Sequence, residues 1–132
     1  MRKTVPLTGA FCSSTSDPSV LNFTSAAPLK YVEELFGTFA SDHCDLDVFI
    51  ETKSNLRKSQ IRTLAVGGVK CMQPGLESLS LNQLKAMDKG VTPMQNLVCL
   101  KWSAYYRVAV SWNMLLGFPG ETNDDYLRQI DL

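Results

Sequence analysis

Histidine occurs once in this chain and the four cysteines are scattered, so the sequence holds no ready set of metal ligands. Cys12, Cys44, Cys71 and Cys99 form no C-x-x-C or C-x-x-x-C pair, which excludes the usual zinc spacings. Charge of either sign is not in excess: 13 basic residues stand against 13 acidic ones. The basic footprint of a nucleic-acid binder is therefore missing, and nucleic acid is not an expected partner. No apolar run reaches the roughly 18 residues of a membrane span. Met1-Arg2-Lys3 is not followed by the apolar core of a signal peptide. These absences give the expectation of a cytoplasmic chain with no membrane attachment. Neither G-x-G-x-x-G nor the P-loop pattern occurs, which removes the support for a glycine-loop nucleotide module.

What is present suits one domain: 132 residues, of which 45% are apolar, can build a core. Residues 1–19 carry Pro6, Gly9, Pro18 and the run Ser13-Ser14-Thr15-Ser16-Asp17, and are expected to form an irregular arm. From residue 20 to 132 strand and helix patterns alternate. Val20 to Phe23 suits a short strand. Pro28 suits a helix start, and Leu29 to Ala40 has helical apolar spacing at Leu29, Val32, Leu35, Phe36 and Phe39. Leu46 to Thr52 reads as a buried strand, and Ser54 to Ala65 as a helix with Leu56, Ile61 and Leu64 inward, closed by Gly67-Gly68. The basic residues of that helix, Arg57, Lys58 and Arg62, read as a solvated face.

Val69 to Met72 is a short strand that runs into Gln73-Pro74-Gly75-Leu76-Glu77-Ser78-Leu79-Ser80. Ser80 suits the N-cap of a helix from Leu81 to Met87. Thr92 and Pro93 suit the cap and first turn of a helix to Tyr106. Met94, Leu97, Val98, Leu100 and Trp102 are expected on its buried side, and Cys71 and Cys99 read as small buried hydrophobes. Cys12, among serines and threonines, has the one setting open to reactivity.

Val110 to Leu116 is expected to be a strand that ends in the loop Gly117-Phe118-Pro119-Gly120, with Thr122 capping a last helix. Short connections between alternating elements predict an α/β fold of parallel strands with helices on the outer face. A closed eight-unit barrel takes roughly 200 residues or more, so this chain suits only part of one. Ligands of such folds gather at the carboxyl ends of the strands. On the residues alone, Glu51 reads as a solvated strand end or helix-start charge rather than as a ligand contact.

Two stretches are more specific. Asn113-Met114-Leu115-Leu116-Gly117-Phe118-Pro119-Gly120-Glu121-Thr122 resembles the G-L-P-G-E-T signature after the fifth barrel strand of radical S-adenosylmethionine enzymes. Gln73 to Ser80, followed by Leu84 to Gly90, resembles the same family's fourth strand and helix. Together with Glu51 to Leu56, Lys89-Gly90-Val91-Thr92, Gln95-Asn96 and Ser111-Trp112, the pattern is most similar to cobalamin-associated members that mature ribosomally made peptides. The resemblance covers roughly residues 28 to 132.

The resemblance implies a middle slice of a (β/α) barrel, with adenosylmethionine along the carboxyl ends of its strands. By matching position Glu51 would contact the polar part of the sulfonium ligand and Glu77 would hydrogen-bond it. Lys89 would reach its carboxylate and Asn113 its ribose. Gly117, Phe118, Pro119 and Gly120 would pass the adenine through backbone groups. The implied partner is a peptide substrate, the implied cofactors adenosylmethionine and cobalamin, and the implied chemistry reductive cleavage of adenosylmethionine with C-methylation among its outcomes. No catalytic residue is assigned. The family's C-x-x-x-C-x-x-C loop, which holds a 4Fe-4S cluster through three thiolates, is not found here. The chain is accordingly read as a fragment, inactive alone. The other readings are a non-catalytic piece docked on a chain that supplies the cluster half of the barrel, and the product of a degenerate gene.

Overall fold

Asp47–Lys53, with the apolar run Val48-Phe49-Ile50, and Val69–Gly75, with Val69, Cys71 and Met72, form the centre of a four-stranded sheet, seen in a computed structural model that describes residues 20–24, 29–43 and 45–130. The expected arm, Cys12, Pro28 and Cys44 lie outside the described residues. The strands are β1 (Val20–Thr24), β2 (Asp47–Lys53), β3 (Val69–Gly75) and β4 (Ala109–Val110), all parallel and in sequence order. The helices are α1 (Leu29–Ser41), α2 (Lys58–Val66), α3 (Leu81–Ala86), α4 (Pro93–Tyr105) and α5 (Asn123–Ile130). None of these helices is long and apolar enough to cross a membrane.

One face of the sheet carries the core. Val48, Ile50, Val69 and Met72 pack with Phe36 of α1, Ile61 and Leu64 of α2 and Cys99 of α4. Each large apolar side chain removed from water in this way contributes about 1.5–3 kcal/mol. The opposite face presents Phe49 and Glu51 from β2 beside Cys71 and Gln73 from β3. The expected parallel α/β arrangement is present, as an open sheet.

A bulge sets which β3 residues share these faces. Val48 pairs with Val69 but Phe49 pairs with Cys71, so Lys70 is an extra residue. Beyond it Ile50 sits beside Met72 and Glu51 beside Gln73. The irregularity lets β3 bury both Val69 and Met72, three positions apart, before it delivers Gln73 to the polar side.

Local cap chemistry gives the helix starts that the sequence predicts at Ser80 and Thr92. The Ser80 hydroxyl accepts from the Gln83 N–H at 3.4 Å, and the Thr92 N–H donates to Gln95 Oε1 at 2.8 Å. Three elements differ from expectation. The helix expected from Ser54 begins only at Lys58, because Leu56 is drawn into the core from an extended segment and Ser54 is buried with it. The strand expected over Val110 to Leu116 stops at Val110, apart from one bridge between Met114 and Glu77. Its neighbour β3 reaches Pro74, which has no N–H to donate, and then curls away.

The third difference is the inward side of α4. Asn96, Cys99 and Ser103 are fully buried at i, i+3 and i+7, while Met94 is exposed and Leu97, Val98, Leu100 and Trp102 are half-buried. Small side chains let α4 approach the sheet, and the Ser103 hydroxyl is satisfied by the Cys99 carbonyl at 2.6 Å. Burial pushes the Cys99 thiol up to about 11, which keeps it protonated and inert as expected of a core cysteine.

Gly67, between α2 and β3, lies against α1: a Cβ there would sit 2.5 Å from the Phe36 carbonyl oxygen and 2.8 Å from its Cβ. Gly67→Ala is expected to destabilise the fold by about 1–3 kcal/mol, as overpacking does elsewhere. Urea unfolding followed by circular dichroism checks this; an unchanged midpoint would show that α1 yields freely.

Candidate functional site

The segment after β3 folds into two very tight turns. The Leu76 N–H donates to the Pro74 carbonyl at 2.8 Å and the Ser78 N–H to the Leu76 carbonyl at 2.6 Å. Glu77 between them has φ 56°, a left-handed conformation that costs a non-glycine residue about 1–2 kcal/mol. Asn96 of α4 holds it there. Its Nδ2 donates to the carbonyls of Leu76 at 3.1 Å and Ser78 at 2.9 Å, one on each side of Glu77. Both acceptors would otherwise be buried without partners from this amide, so the side chain locks the turn.

The held backbone lays the Glu77 carboxylate over Gly75, where a Cβ would meet its Oε1 at 3.3 Å. The other oxygen, Oε2, is buried and faces Lys89 Nζ at 2.5 Å. Lys89 reaches it from just past α3, where its own N–H closes the helix end on the Leu84 carbonyl at 3.1 Å. Glu77 is also tied to the next crossover: its carbonyl accepts from the Leu115 N–H at 2.9 Å.

These contacts bound a cavity of about 240 Å³ at the carboxyl ends of β2 and β3, lined in part by Glu51, Thr52, Gln73, Gly75, Glu77 and Asn113. Pockets that enclose a ligand of drug size run to roughly 300–1,000 Å³, so this one suits a wall of a larger site. Two carboxylates and one ammonium, itself paired, leave the rim with an excess of negative charge. Glu51 has no ion pair among the described residues. The donor set fits a ligand with a positive centre and hydroxyl or amine donors: Glu51 and Glu77 are acceptors, and Asn113 and Gln73 both donate and accept.

Of the residues singled out in the sequence, Glu51, Glu77 and Asn113 thus share one cavity and Lys89 is joined to it through Glu77. Gly117, Phe118, Pro119 and Gly120 do not line it. Gly117 and Gly120 take φ 77° and 89°, and the loop turns onto its own helix. The Gly117 N–H donates to Glu121 Oε2 at 2.7 Å and to the Tyr126 hydroxyl at 3.2 Å, and that hydroxyl bonds Glu121 in turn. Gln73 and Thr52 are site-lining residues that the sequence reading does not single out, because the bulge at Lys70 sets their register beside Glu51 and Pro74. Asn96 was missed because a polar residue inside an amphipathic helix reads as exposed.

A second tie fixes the last helix to the turn. Asp125 accepts from the Ser80 hydroxyl at 2.6 Å and Asn82 at 3.3 Å through Oδ1, and from the Thr122 N–H at 3.0 Å and hydroxyl at 2.8 Å through Oδ2. Led by the Ser80 bond and then those to Thr122, these hold its carboxyl near pKa 2, below the ordinary 3.8. Gln129 Oε1 adds bonds from the Leu79 N–H at 2.9 Å and the Ser78 hydroxyl at 3.2 Å.

An iron–sulfur cluster finds no such fit among the described residues. No group of three or more histidine, cysteine or acidic side chains converges, and Cys99 is committed to the core.

No known family profile matches the chain, and no curated protein does. Solved structures do. The radical S-adenosylmethionine methyltransferase TsrM from Kitasatospora setae, solved with tryptophan substrate and an adenosylmethionine analogue, superimposes with a TM-score of 0.66 at 16% identity. The match covers 77% of this chain and 22% of that one. The cobalamin-dependent S-adenosylmethionine radical enzyme OxsB, solved with aqua-cobalamin, gives a TM-score of 0.62 at 15% identity over 78% of this chain and 16% of its own. The fold is therefore that of a segment of these enzymes, and the chain spans between about a sixth and a fifth of their length.

Replacing Asn96 with alanine removes the amide's bond to the Ser78 carbonyl and leaves the Leu76 carbonyl with the Ser78 N–H alone, and is expected to destabilise by about 1–3 kcal/mol. Chemical denaturation measures the loss, and a change below a few tenths would show that the turn holds itself. Asp125 gives a pH signature. Its folded pKa is depressed, so its contribution is complete above about 3.8 and disappears as pH falls through about 2. The difference in melting temperature between the native protein and Asp125→Asn should accordingly shrink from pH 5 to pH 2; a constant difference would contradict the assignment.

Proposed function

We propose that the chain forms one wall of an adenosylmethionine site within a radical S-adenosylmethionine protein, as the middle βα units of a partial barrel. The observation that carries this reading is the cavity at the carboxyl ends of the strands, where Glu51, Glu77 and Asn113 meet. The likeness in fold to TsrM and OxsB supports it. Glu51 and Glu77 would receive the cationic portion of the ligand, and Asn113 the ribose hydroxyls. Lys89, already opposite Glu77, would offer its remaining N–H bonds to the ligand's own carboxylate. When bound, adenosylmethionine supplies the radical or the methyl group of the reaction. Gly117 to Gly120 would come near the adenine only if the loop left its present bonds to Glu121 and Tyr126.

The peptide resemblance extends the proposal to maturation of a ribosomally made peptide, including C-methylation with cobalamin. With no C-x-x-x-C-x-x-C loop, the isolated chain is expected to bind adenosylmethionine without cleaving it. The sheet face bearing Phe49, Glu51, Cys71 and Gln73, which no described helix covers, favours a second reading in which another polypeptide supplies the remaining strands and the cluster.

Thermal unfolding of the chain with adenosylmethionine and with its uncharged thioether, adenosylhomocysteine, tests the site. Adenosylmethionine at ten times its Kd should stabilise by about 1.4 kcal/mol, adenosylhomocysteine by less, and Glu51→Gln with Glu77→Gln should erase the difference. No shift with either ligand would remove the proposal. Reconstitution with iron and sulfide should leave the chain without the broad visible absorption of a cluster; absorption accompanied by cofactor cleavage would overturn the expected inactivity.

A further inference from the structure

Away from the strand ends, on the exposed side of the helix layer, α1, α2 and the end of α4 enclose a groove of about 770 Å³. Arg57, Lys58 and Arg62 line it and no carboxylate does. None of the three has an ion pair among the described residues; the ion pairs there are Lys30–Glu34 and Lys89–Glu77. Lys58 is instead oriented by an aromatic platform, its Nζ lying 4.1 Å from the Trp102 ring centre and 5.6 Å from that of Tyr105. The two rings fix where this exposed ammonium stands beside the groove.

The groove is not uniformly polar. Val66, 61% exposed, contributes an aliphatic patch, and Gly37 of α1 leaves open space where a side chain would stand. Lys58, Arg62 and Val66 are spaced i, i+4 and i+8, so they form one stripe along α2: cation, cation, aliphatic. The backbone positions of the two cations are roughly 6 Å apart along the helix axis. Alternate residues of an extended peptide, which point to one side, repeat at roughly 6.8 Å.

We propose that this groove is a docking site for an acidic peptide segment, taken in extended form, with two carboxylates at alternate positions on Lys58 and Arg62 and an apolar residue beyond them on Val66. Arg57 at the helix start receives a further carboxylate. The mixed lining distinguishes this occupant from nucleic acid: a strand of phosphates needs a longer row of cations, commonly six or more contacts, and gains nothing from Val66. The balanced charge of the whole chain agrees, since the cations are gathered locally and not spread as a field. The inference does not depend on what the cavity at the strand ends binds.

The probe is a fluorescein-labelled dodecapeptide with glutamate at alternate positions and leucine near one end, titrated with the whole chain and followed by fluorescence polarisation. Saturable binding is expected, with a change in Trp102 emission as Lys58 leaves the ring, measured in a Trp112→Phe background. The same peptide with glutamine for glutamate should bind at least about fivefold more weakly, as should the variant Lys58→Gln with Arg62→Gln. Binding should also weaken at about 0.5 M salt, where charges are screened within a few ångströms. Val66→Ser should reduce affinity for the leucine-bearing peptide but not for one with serine there. Both variants lie on the exposed side, so an unchanged circular dichroism spectrum confirms the fold. Equal binding of the glutamine peptide, indifference to the double substitution, or no saturable binding overturns the proposal. Tighter binding of a single-stranded DNA dodecamer than of the peptide also overturns it and assigns the groove to nucleic acid.

Discussion

The amide of Asn96 is the contact on which the strand-end site depends. With one nitrogen it gathers the carbonyls that precede and follow Glu77 and so keeps that residue in a left-handed conformation. From this single constraint come the position of the carboxylate over Gly75, its approach to Lys89, and the backbone bond that draws Leu115 and hence Asn113 toward the same cavity. An aliphatic residue of similar size would fill the space but leave the turn to collapse toward a commoner conformation. Burial makes the bond count for more, since neither carbonyl can turn to water at no cost.

The polar cavity and the basic groove belong to different layers of the molecule. The first lies at the ends of the strands on the side opposite the core, and the second lies on the helices. The packed layer of Phe36, Val48, Ile50, Ile61, Leu64 and Met72 separates them. A substitution on α2's exposed stripe therefore has no direct path to Glu51 or Glu77, which keeps the two regions chemically independent while one core supports both.

What local chemistry determines was legible in the sequence. Ser80 and Thr92 start helices because each hydroxyl accepts the N–H of the residue three places on, and at Thr92 the Gln95 side chain returns the bond. The two central strands were legible through apolar runs followed by turn residues, although β2 continues past Glu51 to Lys53 and β3 past Met72 to Gly75. Features that need distant partners were not. Strand β4 is cut short because Pro74, far away in the chain, has no hydrogen to share. The inward face of α4 is Asn96, Cys99 and Ser103 because the turn after β3 requires an amide and the sheet requires small neighbours. Asp125 bonds Ser80 across 45 positions, a distance over which no periodicity is informative. The glycine loop was legible as a turn, but not that the Gly117 N–H would be absorbed by Glu121 and Tyr126.

Lys70 acts as a phase shift. Counted with an unbroken period of two from Val69, the strand would send Gln73 into the oily layer and Met72 into the solvent; the one supernumerary residue exchanges them. Oil and polarity in β3 are thus sorted by a defect in the lattice, and a chain that held Lys70 in regular pairing would have to choose between an intact core and a chemically furnished rim.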